Sequence, residues 1–160
     1  LITEPETNTE ENVASVAGKM DNRVIAAYQQ LGFKLVVDPS VNYSGYFDAR
    51  SRSITMKQID DSVYHELGHF LAFIAGNVDK TASFQSIFAA EKANVTAFNK
   101  AYVTQNASEY FAESVKDYIL NNASLKSSRP QTYAAVQNAL NQITDAQIAK
   151  IQKIYGAFWN

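Results

Sequence analysis

Both histidines of the chain lie in one short motif, His65-Glu66-Leu67-Gly68-His69. In an α-helix, residues four apart lie on one face about one turn from each other, so both imidazoles can reach a single ion. Glu66 is rotated about 100° from His65, so it cannot be a ligand beside both histidines, but it can reach a water held by the same ion. The motif therefore predicts a catalytic metal site with zinc as the metal and Glu66 as the base.

The third ligand of this site has to be a carboxylate. A catalytic zinc ion takes three protein ligands and keeps one position for water or substrate, and the chain has no cysteine and no third histidine. On spacing alone, the candidates are Asp79, Glu91, Glu109, Glu113 and Asp117. Glu109 and Glu113 lie one turn apart among bulky apolar residues, where burying an unpaired charge is costly. Either one binds the metal while the other supports a ligand histidine, or both lie on a solvated face beside Lys116.

Length and composition are typical of one folded domain. The 160 residues are 46% hydrophobic and 19% charged, which excludes a wholly disordered chain. A formal net charge of -2 argues against a nucleic-acid binder, and no apolar run approaches the ~20 residues of a membrane span. We expect a mobile, acidic lead-in without signal-peptide features over residues 1–12 and a single domain over residues 13–160, present as a monomer.

Periodicity predicts the elements that must position the motif. Apolar residues at helical spacing predict a first helix over 13–31. A strand over 33–37 and a hairpin over 43–57 precede the motif helix, which is predicted over 63–75. Further helices are predicted over 81–98, 108–120, 131–143 and 146–158. This order predicts an α+β fold that is mostly helical, with a small mixed sheet or hairpin ahead of the zinc-binding helix.

Two motifs together resemble a known metallopeptidase family. The pair of His65 and His69, followed by the segment E-Y-F-A-E at 109–113, is similar to the peptidase domain shared by anthrax-toxin lethal factor and the secreted Pro-Pro endopeptidases. The later segment R-P-Q-T-Y at 129–133 resembles the Pro-Pro enzymes as well. The resemblance covers about residues 43–143 and implies a zincin-like fold.

The resemblance also implies a role for individual residues. By this likeness, zinc is bound by His65, His69 and Glu109, the base is Glu66, the catalytic tyrosine is Tyr102, and the second acidic position beside a ligand histidine is Glu113. Spacing alone does not distinguish Tyr102 from Tyr110 or Tyr118, and only the resemblance selects it.

These inferences predict a zinc-dependent endopeptidase that hydrolyses peptide bonds through a zinc-bound water activated by Glu66. We expect its partner to be a peptide or protein substrate, extended along the strand over 53–57. The resemblance makes proline-containing substrates candidates and implies a secreted or extracellular protein. The Pro-Pro enzymes carry a tryptophan ahead of the zinc helix, whereas the one tryptophan here is Trp159, so Pro-Pro specificity itself is not implied.

Two other functions are compatible with the same motif. The chain could be a non-catalytic or weakly active zinc-binding module on a metallopeptidase fold, acting in surface interaction or regulation. It could also be a zinc enzyme that cleaves bonds other than peptide bonds. Glu66 favours an enzyme over a structural module, because a purely structural zinc site has no use for a base beside the metal.

Overall fold

The structure is a computed structural model that describes residues 8–159. As predicted, these residues form an α+β fold that is mostly helical with a small mixed sheet. The strands are β1 (Thr9–Glu11), β2 (Lys34–Val37), β3 (Gly45–Asp48) and β4 (Ser53–Met56). The helices are α1 (Val13–Val16), α2 (Asn22–Gln30), α3 (Ser62–Ile74), α4 (Ala82–Glu91), α5 (Lys100–Val103), α6 (Ala107–Leu120), α7 (Asn122–Ser128), α8 (Pro130–Asn141) and α9 (Asp145–Trp159), with single 3-10 turns at Val78–Lys80 and Lys92–Asn94. None of the described helices is long and apolar enough to cross a bilayer.

The sheet has the strand order β1-β2-β4-β3. β4 pairs in parallel with β2 and antiparallel with β3, so its backbone groups are engaged on both sides. Our expectation that a substrate would extend along residues 53–57 is therefore wrong, because a strand inside a sheet has no edge to offer. Among the described strands, the one that ends the sheet on the side of the motif helix is β3.

Part of the predicted lead-in belongs to the sheet. Residues 9–11 form β1, which pairs antiparallel with β2 in the register Thr9↔Val37 and Glu11↔Leu35. The prediction of a mobile lead-in through residue 12 is wrong for these residues, because β2 would otherwise present an uncovered edge and this short acidic strand covers it. Residues 1–7 of that prediction lie outside the described residues, and the single domain over 13–160 stays a prediction.

The motif helix α3 runs through the centre of the core, close to its predicted bounds. Its residues Leu67, Phe70 and Leu71 are fully buried between the sheet and α6. A helix that is apolar on most of its surface is stable when it is surrounded by other elements. Its polar motif residues are therefore held in a fixed position rather than on a mobile surface.

Two predicted helices are shorter in the structure. The helix predicted over 13–31 is divided into α1 and α2, because the Asp21 side chain accepts a hydrogen bond from the backbone N–H of Arg23 and starts a new helix. The helix predicted over 81–98 ends at Glu91. The short helices α5 and α7 were not predicted.

Candidate metal centre

The predicted ligands come together where α3 packs on α6. The Nε2 atoms of His65 and His69 lie 2.9 and 3.1 Å from the same oxygen, Oε1 of Glu109. One donor atom from each of these three residues lies within 4.8 Å of the others. Two imidazoles and one carboxylate are a donor set that zinc takes in catalytic sites. The residues therefore fit a bound zinc ion, although their assignment as its ligands stays a prediction.

A glycine in the motif allows the two helices to approach this closely. A Cβ atom placed on Gly68 would lie 2.6 Å from the carbonyl oxygen of Ala112 and 2.7 Å from its Cα. These are backbone atoms, so no side-chain rotation could make room. Gly68 is thus the contact that lets Glu109, on the same face of α6, reach the two histidines. Sequence reasoning missed this role, although a glycine inside an apolar helix was a signal for it.

The charges of the cluster are strongly coupled. Hydrogen bonds with His65 and His69 hold the pKa of Glu109 far below its usual range. Burial of His65 opposes its protonation, but hydrogen bonds with Glu109 and Glu113 outweigh burial and raise its pKa to about 9. When no metal is bound, the proton on His65 therefore supplies the positive charge that a metal cation would supply beside Glu109.

Glu113 supports one of the histidines from behind. The Nδ1–H of His65 donates to Oε1 of Glu113 at 2.8 Å, which leaves Nε2 pointing towards Glu109. Burial raises the pKa of Glu113, but the hydrogen bond and charge of His65, together with the charges of Lys116 and Arg129, lower it below its usual value. A carboxylate in this position fixes the tautomer of a ligand histidine and its orientation. The placement is the one that the resemblance implies.

Glu66 lies in the same cleft but does not contact the three donor atoms. It is only 7% exposed, and burial raises the pKa of its carboxyl above the usual value. The edge strand β3 passes directly over it. A Cβ atom on Gly45 would lie 2.9 Å from Cγ of Glu66 and 3.1 Å from its Oε2. Gly45 therefore leaves the space that the carboxylate of Glu66 occupies, a role that sequence reasoning also missed.

The structure distinguishes among the three candidate tyrosines by position. Tyr102 is 54% exposed beside the cluster, and its hydroxyl donates to Oε1 of Glu109 at 3.3 Å. Tyr110 is buried, with its hydroxyl 2.6 Å from Oγ1 of Thr132, and the ring of Tyr118 packs against Tyr133. Only Tyr102 of the three adjoins the cluster, although its catalytic role stays a prediction.

Three other carboxylates that spacing left open are engaged elsewhere. Asp79 accepts a hydrogen bond from the Ser108 hydroxyl at 2.7 Å. Asp117 pairs with Arg129 at 2.6 Å. Glu91 is buried and accepts hydrogen bonds at the start of α8, from the backbone N–H groups of Gln131 and Thr132 and from the Thr132 hydroxyl. None of the three belongs to the cluster of His65, His69 and Glu109.

A buried arginine stabilises α6, the helix that carries the third candidate ligand. Arg129 is 5% exposed, and its guanidinium donates to Oγ of Ser114 at 3.1 Å and to the carboxylate of Asp117. It also lies over the ring of Tyr110, with the guanidinium carbon 5.3 Å from the ring centroid, which is within the range of a cation–π contact. These contacts, which extend from Tyr110 to Asp117, fix the middle of α6 on both sides of Glu113.

The cluster lies in a cleft that opens on both of its sides. One cavity of about 300 Å³ is lined by His69, Glu109 and Phe47, and a second of about 440 Å³ is lined by His65 and Glu113. Gly45, Glu66 and Tyr102 line both cavities. A chain that passed from one cavity to the other would run past the candidate ligands and beneath β3.

Comparisons with known proteins agree with the resemblance drawn from the motifs. A family model described as "Anthrax toxin lethal factor, N- and C-terminal domain" matches residues 49–139. A Pro-Pro endopeptidase from Clostridioides difficile (strain 630) is 41% identical over 78 residues, which are 46% of this chain and 34% of that protein. The match thus spans about a third of that relative's length. Both findings confirm the resemblance.

Proposed function

The chain belongs to the anthrax toxin lethal factor family, and from this premise we propose that it is a zinc-dependent endopeptidase. The observation that carries the proposal is the cluster of His65, His69 and Glu109, with their donor atoms within 4.8 Å of one another. The buried carboxylate of Glu66 lines the same cleft. The name of the 41% identical relative, an endopeptidase, supports the reaction class.

The metal would be held by His65, His69 and Glu109, with Glu113 orienting His65. When bound, zinc polarises a scissile carbonyl and lowers the pKa of a coordinated water towards about 7. The hydrogen bond from Nδ1–H of His65 to Glu113 keeps Nε2 available as a donor atom. Both acidic residues belong to α6, so one rigid element supplies the carboxylate ligand and the support for a histidine.

Glu66 would act as the proton carrier of the reaction. Its carboxylate takes a proton from the attacking water and later returns that proton to the leaving amine. Burial raises its pKa, which makes the protonated form easier to reach after the first transfer. The contact with Gly45 holds it beneath the edge strand, where a bound peptide would lie.

Tyr102 would stabilise the charge that develops on the scissile carbonyl oxygen. Its hydroxyl lies at the cluster and borders both cavities. One well-placed donor of this kind is typically worth about 2.7–4 kcal/mol in the transition state. The phenol currently donates to Glu109, and it would transfer this hydrogen bond to the substrate.

The substrate would be a peptide paired with β3. An edge strand offers backbone hydrogen bonds to an extended peptide, with alternate side chains pointing into the cleft. Exposed aromatic rings border this edge: the ring centroids of Tyr43 and Tyr46 lie 5.9 Å apart, and Tyr102 lines one cavity with Tyr43 and the other with Tyr46. Such rings bind proline well, so proline-containing peptides are the first substrates to test. The family likeness also supports an extracellular site of action.

Cleavage of extended peptides by the purified, zinc-loaded protein tests this proposal. A library that includes proline at each position, read by mass spectrometry, should yield defined fragments. Glu66→Gln should lower the rate by about 10²- to 10⁴-fold while elemental analysis still finds one zinc per chain. The matched control is Glu10→Gln, on exposed β1 at the far end of the sheet, which should change neither. Cleavage unaffected by Glu66→Gln would refute the mechanism.

A zinc-binding module without catalytic activity would give a different result. Such a protein would bind zinc in stoichiometric amount and cleave none of the peptides. Loss of zinc and of folding in the same Glu66→Gln variant would indicate a structural role for the site.

A further inference from the structure

An apolar groove, distinct from the two cavities of the cleft, opens at one end of the candidate cleft. It has a volume of about 370 Å³ and is lined by Ala49, Arg50, Phe73, Tyr155, Phe158 and Trp159. Ala49 and Phe73 also line the cavity that contains His69. The groove is therefore continuous with the cleft, but its lining is mostly apolar, whereas the cleft is lined by both charged and apolar side chains.

The far wall of the groove is rigid because Trp159 is held from several sides. Its indole N–H donates to the carbonyl of Ala49 at 3.0 Å, and the guanidinium of Arg52 lies 5.1 Å from its ring centre. Phe33 packs edge-on against the same ring at 5.7 Å, and Tyr155 stacks on it at 5.9 Å. Trp159 thus joins the end of α9 to the turn of the β3–β4 hairpin.

The groove is open to solvent on the side of Phe158. This side chain is 73% exposed, although it adjoins an apolar surface that it could help to cover. Large apolar side chains left exposed beside a preformed apolar groove are typical of a surface that binds another molecule.

The edge strand leads directly from the cleft into the groove. β3 begins at Gly45, which lies against Glu66, and Ala49 follows its last residue. A paired peptide rises about 3.3 Å per residue, so a substrate residue about four positions from the scissile bond would reach the groove. Its side chain would enter an apolar site bounded by Phe73 and Trp159.

We propose that this groove is a subsite for one apolar side chain of the substrate, about four residues from the scissile bond. The proposal rests on the proposed peptidase function and adds a specificity element to it. The groove residues that α9 contributes, Tyr155, Phe158 and Trp159, lie outside residues 49–139, which match the family model.

Paired peptides test the subsite by kinetics. Each pair carries leucine or serine at one position, scanned from two to six residues on either side of the cleaved bond. At one position, leucine should raise kcat/KM about tenfold through KM alone, because a remote contact is made equally in the ground and transition states. Phe158→Ala should remove this preference and leave the serine peptide unaffected. The matched control is Ile154→Ala, 50% exposed on the same helix but outside the groove.

Fluorescence provides a readout that does not depend on activity. Trp159 is the chain's one tryptophan, so its emission reports on the groove alone. Titrating the Glu66→Gln variant with the leucine peptide should shift that emission, and the serine peptide should require about ten times the concentration. Equal response to both peptides, together with equal kcat/KM at every scanned position, would overturn the subsite.

The possible failures of the two proposals are distinguishable. If peptides are cleaved without any preference for leucine, the peptidase function stands and the subsite is wrong. If no peptide is cleaved but the leucine peptide still shifts Trp159 emission, the peptidase proposal fails and peptide binding in the groove stands. Concentration-dependent dimerisation that Phe158→Ala abolishes would assign the groove to a second copy of the chain and overturn the substrate assignment.

Discussion

Substituting alanine for Gly68 tests whether helix spacing sets the metal site. The added Cβ would lie 2.6 Å from the Ala112 carbonyl oxygen and 2.7 Å from its Cα. Ordinary contacts between such atoms lie near 3.5 Å, so α6 would have to retreat from α3 by about 1 Å. Glu109 lies three residues before Ala112 on the same helix, and its carboxylate would retreat with the backbone.

The two expected effects of Gly68→Ala differ in size. Overpacking costs about 1–3 kcal/mol, and alanine regains about 1 kcal/mol of helix propensity, so the free energy of unfolding should fall by no more than about 2 kcal/mol. The zinc affinity should fall more, by about 100-fold, because ligand geometry tolerates only small displacements. Urea unfolding of the metal-free protein and competition with a fluorescent zinc chelator measure the two effects separately.

Gly156→Ala is the matched control for this substitution. It adds the same methyl group inside α9, where a Cβ atom meets nothing within 4 Å. It should raise stability by about 1 kcal/mol and leave zinc affinity unchanged. Zinc binding by Gly68→Ala with the affinity of the parent chain would refute the argument, since the third ligand would then not depend on the approach of the helices.

Three further predictions concern the base, the proton of the cluster and the third ligand. Gly45→Ala should displace the Glu66 carboxylate and lower kcat about tenfold or more while elemental analysis still finds bound zinc. Zinc binding should release close to one proton at pH 7 and only about half a proton at pH 9, because the pKa of metal-free His65 is about 9 and this residue must be neutral to bind. Calorimetry in two buffers of different ionisation enthalpy measures that proton, and the apparent affinity should rise with pH. Glu91→Ala should lower stability by about 2 kcal/mol or more by leaving the N–H groups of α8 unpaired, yet retain zinc, whereas Glu109→Ala should lose zinc.

The histidine half of the site followed from local sequence, and its carboxylate half did not. The spacing of His65 and His69 fixes their common face on any helix. The choice of Glu109 over Glu91 depends on how distant helices pack, which no local pattern encodes. Glu91 is buried because it accepts three hydrogen bonds at the start of α8. Before the structure brought Glu109 and not Glu91 to the two histidines, only the resemblance to a family distinguished these two candidates.

The errors in the predicted secondary structure also have local causes. The break between α1 and α2 arises because the Asp21 side chain caps a new helix within a continuous apolar pattern. Helix α5 spans only Lys100–Val103 and is too short to show a helical period, and α7 has too few apolar residues to show one. β1 covers an edge of the sheet and has no alternation of apolar residues. Its residues Glu10 and Glu11 therefore have the sequence pattern of a solvated tail.

The motif helix makes two close contacts, and each should affect a different requirement of the proposed catalysis: metal binding or the position of the base. The contact of Gly68 with α6 brings in Glu109 and should govern metal affinity, whereas the contact of Gly45 with Glu66 should govern the position of the proposed base. Because these contacts share no partner, their substitutions should affect different constants, Gly68→Ala the zinc affinity and Gly45→Ala the kcat. A chain with alanine at position 45 should keep every candidate ligand and turn over about tenfold or more slowly, which approaches the weakly active module considered above. The chain instead has glycine there, with the space that Glu66 needs left open, and this favours the enzyme over the module.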